Sequence, residues 1–211
     1  MFELSSKTQV NRKFKMSELY KVMGADKTVK TDAANILSVT LTNVLNKDTL
    51  NFSAKGDVKE IYLFEIVLNC KTVPTLFISE LDKATNFHTA FVLRYGNQVM
   101  LYGAFKEYGE KGIKVGKYYS TDWATERLIA LPLGVNSLDE IYTAIIDELI
   151  PITVREGESI KDFVVRYGEV VRLKKEIEKL QHLVDNEKQS KRRFELNNKL
   201  KHKKKELENL K

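Results

Sequence analysis

Residues 60–68 read Glu60-Ile61-Tyr62-Leu63-Phe64-Glu65-Ile66-Val67-Leu68. β-Branched and aromatic residues dominate this run, which predicts a strand. Its near-continuous apolarity predicts a central strand covered on both faces. Downstream, Pro74 marks a break. Leu76, Phe77, Leu81, Ala84 and Phe87 predict a helix over residues 76–87 that crosses the sheet. Residues 88–95 read as a second strand, and Gly96-Asn97 supplies the positive-φ residues of a tight hairpin. Residues 98–106 form the returning strand, with Val99, Leu101, Gly103 and Phe105 on one face. A loop with Gly109, Gly112 and Gly116 leads to a fourth strand near 113–120, and Trp123 follows in a turn. Pro132 and Gly134 punctuate the chain before a helix capped by Ser137. That helix carries Leu138, Ile141, Tyr142, Ile145, Ile146 and Leu149 on its apolar face.

Upstream, residues 1–15 are polar and basic, with Asn11, Arg12, Lys13 and Lys15 close together. Ser17 is placed to cap a short helix that Gly24 ends. Thr31 or Asp32 is placed to cap another. There Ala33, Ile36, Leu37, Thr40, Leu41, Val44 and Leu45 fall at helical spacing. Residues 46–57 read as a loop. The body, residues 1–155, is thus expected to be α+β, a small mixed β-sheet of four or more strands flanked by helices.

Residues 156–211 are expected to form a long, coiled-coil-like helical arm. Leu173, Ile177, Leu180 and Val184 follow the steps of a coiled-coil seam. The seam fails over residues 185–191 and resumes in another register at Leu196, Leu200, Leu207 and Leu210. A stutter in one long helix and the turn of a helical hairpin both fit that pattern. The absence of glycine and proline at the break favours one continuous helix over residues 172–211.

The arm also holds the charge imbalance. Residues 188–211 contain ten basic and three acidic residues, a net +7, so the chain's +6 leaves −1 for residues 1–187. Lys188, Lys191, Arg192, Arg193, Lys199, Lys201, Lys203, Lys204 and Lys205 are therefore the candidate nucleic-acid-binding residues, suited to sequence-independent phosphate contact. Leu173, Ile177, Leu180, Val184, Leu196 and Leu200 are the candidate partner-binding residues, through which a homo-oligomer could also form. A balanced charge pattern, which would indicate a merely solvated helix flank, holds only for residues 172–187.

At 43% hydrophobic residues the chain can build a core. It offers neither an apolar leader nor a run of roughly 20 apolar residues, so a cytoplasmic protein without membrane contact is expected. Cys70 is the single cysteine, and His88, His182 and His202 show no ligand spacing. No metal or other cofactor is expected. Glu60, Glu65, Lys71 and Lys106 have the residue types of a metal-dependent nuclease but not its acid-x-lysine spacing. The three glycines between residues 109 and 116 lack the Gly-Lys-Ser/Thr ending of a phosphate loop. No G-x-S-x-G elbow is present.

Several stretches resemble a bacterial family known as domain of unknown function 4391. They are Thr8-Gln9-Val10-Asn11-Arg12, Val58-Lys59-Glu60-Ile61-Tyr62-Leu63-Phe64, Ala104-Phe105-Lys106, Tyr118-Tyr119-Ser120-Thr121-Asp122-Trp123 and Ser137-Leu138-Asp139-Glu140-Ile141-Tyr142. The most specific is Glu187-Lys188-Gln189-Ser190-Lys191-Arg192-Arg193-Phe194-Glu195-Leu196-Asn197. Ser190 departs from the aromatic expected there, and Leu133-Gly134-Val135 is a looser version of its segment. The resemblance implies a bacterial cytoplasmic protein encoded beside helicases and methyltransferases of restriction-modification or antiviral defence systems. It assigns no catalytic residue.

Three functions follow as expectations. The first is a non-catalytic accessory or adaptor protein of a DNA restriction or anti-phage system. It would contact nucleic acid and/or a helicase or methyltransferase partner through the arm, with the body docking a larger partner. The second is a coiled-coil interaction protein without DNA binding. The third is a divergent metal-dependent nuclease.

Overall fold

The computed structural model describes residues 4–52, 56–109, 112–125 and 135–210. The chain divides into two compact units, Met1–Ile150 and Pro151–Lys211.

In the first unit, β1 (Gln9–Phe14) precedes α1 (Met16–Met23), α2 (Lys27–Asp32), β2 (Ile36–Asn46) and a single turn, α3 (Lys47–Leu50). Next come β3 (Glu60–Leu68), α4 (Thr75–Ala84), β4 (His88–Tyr95), β5 (Gln98–Gly109), β6 (Gly112–Ser120), β7 (Ala124–Thr125) and α5 (Leu138–Leu149). The strands make one mixed sheet in the order β1-β2-β3-β4-β5-β6, with β7 also paired to β5. Only β3 and β4 run parallel, because α4 carries the chain back between them. Among the described residues the sheet is thus an α+β arrangement, and β3 sits inside it as its composition implies.

Both sides of β3 are covered. Phe64, Ile66 and Leu68 join Val39, Leu41, Phe91 and Leu93 in a core completed by Leu19, Val29, Phe77, Ile78 and Leu81. Residues of the opposite parity, Ile61 and Leu63, are also buried. Helix α5 lies against β5 and β3. At Gly103 a Cβ would stand 3.1 Å from Leu149 Cδ1, so the missing side chain lets α5 approach β5.

Three local expectations are corrected. The segment expected to be a helix through Ala33, Ile36, Leu37, Thr40, Leu41, Val44 and Leu45 is mostly strand β2, preceded by a short 3₁₀ turn at Ala33–Asn35. Its register against β3 shifts between Leu41 and Asn43. Val39 and Leu41 before the shift and Val44 after it pack into the same core, so steps of two and three residues imitate a helical period. Residues 9–14, expected only as a polar segment, form edge strand β1 with Asn11 at φ 49°. The expected caps also move. Lys15, not Ser17, precedes α1, and Asp26 caps α2 by accepting from the Val29 N–H at 2.9 Å. Gly24 does end α1 in the left-handed conformation, φ 62°. Asp32 instead caps α4, accepting from the Leu76 and Phe77 N–H groups at 2.9 and 3.0 Å. Ser137 caps α5 as expected, through Glu140 N–H. Pro132, Gly134 and residues 110–111 of the glycine-bearing loop lie outside the described residues; Gly109 and Gly112 pair across its base.

The second unit is a two-helix hairpin, α6 (Ile160–Asn186) and α7 (Ser190–Leu210). The continuous helix expected from 172 to 211 is interrupted at residues 187–189. Glu187 takes extended backbone angles (φ −80°, ψ 122°), and Asn186 Nδ2 donates to the His182 carbonyl at 2.8 Å. Lys203 reaches Glu176 at 3.6 Å and Arg166 reaches the Leu210 carbonyl at 2.7 Å, so α7 returns along α6. The change of seam register in the sequence therefore marks a turn.

Candidate nucleic-acid interface

The two units differ in charge. Residues 1–150 carry eighteen basic and eighteen acidic residues, whereas residues 151–211 carry seventeen and eleven, so the whole +6 belongs to the second. Along α7, Leu196, Leu200, Lys203, Leu207 and Leu210 recur at steps of three and four and are buried or half-buried. Lys191, Phe194, Asn198, Lys201 and Lys205 recur at the same steps and are all exposed. A helix with this periodicity has one side against its neighbour and one side in water.

The nine candidate cations separate accordingly. Lys188, Lys191, Arg193, Lys199, Lys201 and Lys205 are exposed and make no ion pair among the described residues. Arg192 pairs with Glu187 at 3.3 Å, Lys203 with Glu206 at 2.8 Å, and Lys204 Nζ donates to Gln181 Oε1 at 3.4 Å. Lys203 is the most engaged, because it also faces Glu176. Of the candidate partner-binding residues, Leu173, Val184 and Leu200 are buried, while Ile177, Leu180 and Leu196 are half-buried.

The cations at the start of α7 do not serve its macrodipole. Its first turn contains Lys191, Arg192 and Arg193 and no acid. A cation at a helix N-terminus opposes the macrodipole, at roughly 0.3–1 kcal/mol each when exposed. The other end is built in the favourable sense. Arg155 Nη2 donates to the Asn209 carbonyl at 2.6 Å, and Arg166 Nη1 donates to the Leu210 carbonyl. Arg166 also holds Glu158 through two bonds at 2.6 and 2.7 Å and the Thr153 carbonyl at 2.8 Å. The guanidinium keeps the Glu158 carboxyl down to about 2. This half-buried clasp fixes the end of α7 to the start of α6. Sequence reading missed it, because an Arg inside an amphipathic helix resembles any solvated cation.

The first unit carries a buried charge cluster. Lys106 and Asp82 are both fully buried and pair at 2.7 Å. Lys106 Nζ also donates to the carbonyls of Asp82, Phe87 and Thr85 at 2.8, 2.8 and 3.2 Å, which places its charge on the C-terminal end of α4. Thr89 and Tyr118 hydroxyls donate to the Asp82 carboxylate, the latter at 2.7 Å. Burial lowers the Lys106 ammonium below its ordinary value, against the pull of Asp82. The Tyr142 hydroxyl accepts from the Lys106 N–H at 2.7 Å and donates to the Ala104 carbonyl at 3.0 Å, where the β5–β6 register shifts. Every proton of Lys106 is thus engaged internally. Glu65 is engaged by Arg94 at 2.9 Å, and Glu60 and Glu65 fall on opposite strand faces. Lys106 and Glu65 are thus each paired with a different residue, Asp82 and Arg94. Among the described residues no group of three or more His, Cys, Asp and Glu is arranged to hold a metal ion.

The remaining singled-out residues have local roles. His88 is buried edge-on to the Tyr142 ring at 4.3 Å, and burial lowers its imidazole to about 4. Cys70 Sγ lies 3.5 Å from Asn35 Nδ2. Arg12 stacks over Phe14 at 4.9 Å on β1, where charge discourages further edge pairing. Among the described residues no helix is long and apolar enough to cross a membrane.

Fold and charge together define an α+β domain followed by a cationic helical hairpin. The model of the family described as Domain of unknown function (DUF4391) matches residues 2–207, and the chain belongs to that family. No curated protein and no solved structure matches the chain.

Proposed function

We propose that this chain is a cytoplasmic, non-catalytic accessory protein of a bacterial DNA restriction or anti-phage system. Its hairpin contacts the nucleic-acid backbone, and its neutral first unit docks a larger partner such as a helicase or methyltransferase. The observation that supports nucleic-acid contact is the set of six exposed cations on and beside α7 without ion pairs among the described residues. Such a surface gains affinity by releasing counterions from phosphates. The defence context rests on the family resemblance alone.

The test is fluorescence anisotropy with a labelled 20-base-pair duplex in about 0.1 M salt. Each phosphate contact is worth roughly eightfold at that salt. Joint replacement of Lys191, Arg193, Lys201 and Lys205 by Gln is expected to lower affinity at least about 100-fold. Lys203→Ala is expected to change it less than about twofold, because Lys203 already serves Glu206 and Glu176. A fourfold variant that binds like the parent refutes the proposal.

A further inference from the structure

Phe194 is the one exposed phenylalanine among the described residues, at 66% of its full accessibility. It projects from the outward side of α7, one turn from Lys191 and two turns from Lys201. Between residues 187 and 201 stand six basic residues (Lys188, Lys191, Arg192, Arg193, Lys199, Lys201) and two acidic ones (Glu187, Glu195). An exposed aromatic therefore sits inside a strongly positive field.

That combination selects among ligands. A protein-docking patch concentrates apolar residues and excludes charge from its centre. Here the outward positions Lys191, Phe194, Asn198, Lys201 and Lys205 include one apolar residue only. A duplex has matching phosphates, but its base faces are hidden within the stack. A single strand offers both phosphates and open base faces, and aromatic stacking with backbone cations is how sequence-tolerant strand binding works. From this we infer that α7 is a binding surface for single-stranded nucleic acid, with Phe194 as the stacking platform. Lys191 and Lys201 take the phosphates on either side of the stacked base. The inference rests on the nucleic-acid reading of the same helix and adds the strand class and the residue that chooses it.

The experiment compares the intact chain and its Phe194→Ala and Phe194→Trp variants. The probes are a labelled 20-nucleotide oligo-dT, a duplex of equal length and poly-glutamate of matched charge number. The parent is expected to prefer oligo-dT. Phe194→Ala is expected to weaken oligo-dT binding about 5- to 150-fold, the span of one aromatic–base stack, and duplex binding less than about twofold. Phe194→Trp is expected to restore the preference. Circular dichroism should be unchanged, since an exposed side chain is removed. Equal weakening of both nucleic acids, or of neither, overturns the stacking role while leaving backbone contact intact. Poly-glutamate binding with the same dependence on Phe194 assigns the surface to an acidic protein and overturns the inference. If the parent binds no nucleic acid, both this inference and the broader proposal fall.

Discussion

Replacing Lys106 by Met removes one charge of a pair that has no contact with water. Methionine fills much of the same volume, so the loss is electrostatic more than steric. Asp82 would keep the donors Thr89 and Tyr118 but lose the cation paired with it. The carbonyls of Asp82, Thr85 and Phe87, at the end of α4, would lose a charged donor. Breaking a buried pair from one side costs about 3–5 kcal/mol. An ordinary domain has about 5–15 kcal/mol in total, so the variant should be close to unfolding. Trp123 packs against the core of the first unit and is the chain's single tryptophan, so urea unfolding read by its fluorescence reports that unit. Adding Asp82→Leu should recover at least about 2 kcal/mol relative to the sum of the single losses, because no unpaired charge then remains buried. A Lys106→Met loss below about 1 kcal/mol, or an additive double variant, would refute the reasoning.

Other consequences are equally direct. His88 titrates near 4 in the folded chain against about 6.5 when unfolded, so protonation favours unfolding. Its contribution is constant above pH 6.5 and falls by up to about 3 kcal/mol as pH drops to 4. Urea midpoints measured across that window should flatten in His88→Gln, and a variant as acid-sensitive as the parent contradicts this. Arg166→Met should release the end of α7, raising amide exchange at residues 200–210 about tenfold or more while leaving exchange in β3 unchanged. Equal exchange in parent and variant would remove the clasp. Gly56→Ala should destabilise the first unit by about 1–3 kcal/mol. The new Cβ would collide with the Asp139 carboxylate that accepts from Asp57 and Val58 N–H groups, and φ is 109°. A urea midpoint equal to the parent's would disprove that.

Much of the fold was legible from Glu60 onward. There β4 pairs with β3 and with β5 without a register shift, the hairpin has its Gly96-Asn97 turn, and α5 has both a Ser cap and an unbroken apolar face. Legibility failed where a backbone irregularity altered the period. The shift in β2 turned a strand pattern into an apparent helix, although β-branched Val39, Thr40, Thr42 and Val44 argued for a strand. Strand β1 gave no apolar signal because it is a polar edge. The turn at residues 187–189 uses no glycine or proline, and only the changed leucine register betrayed it. At the candidate interface the cationic character was legible from composition. Which cations remain open was not, because the partners of Lys203 and Arg166 depend on how α7 returns along α6. The Asp82–Lys106 pair was beyond reach for the same reason: it joins a crossover helix to a strand two elements later.

The most direct measurement is a salt titration of oligo-dT binding by the intact chain, plotted as the logarithm of affinity against the logarithm of salt concentration. With four to six of the open cations on phosphates, the expected slope is about −3 to −4. Each Lys→Gln replacement at Lys191, Lys201 or Lys205 should flatten it by about 0.7. A slope near zero, or one unmoved by all three replacements, would contradict phosphate contact by α7.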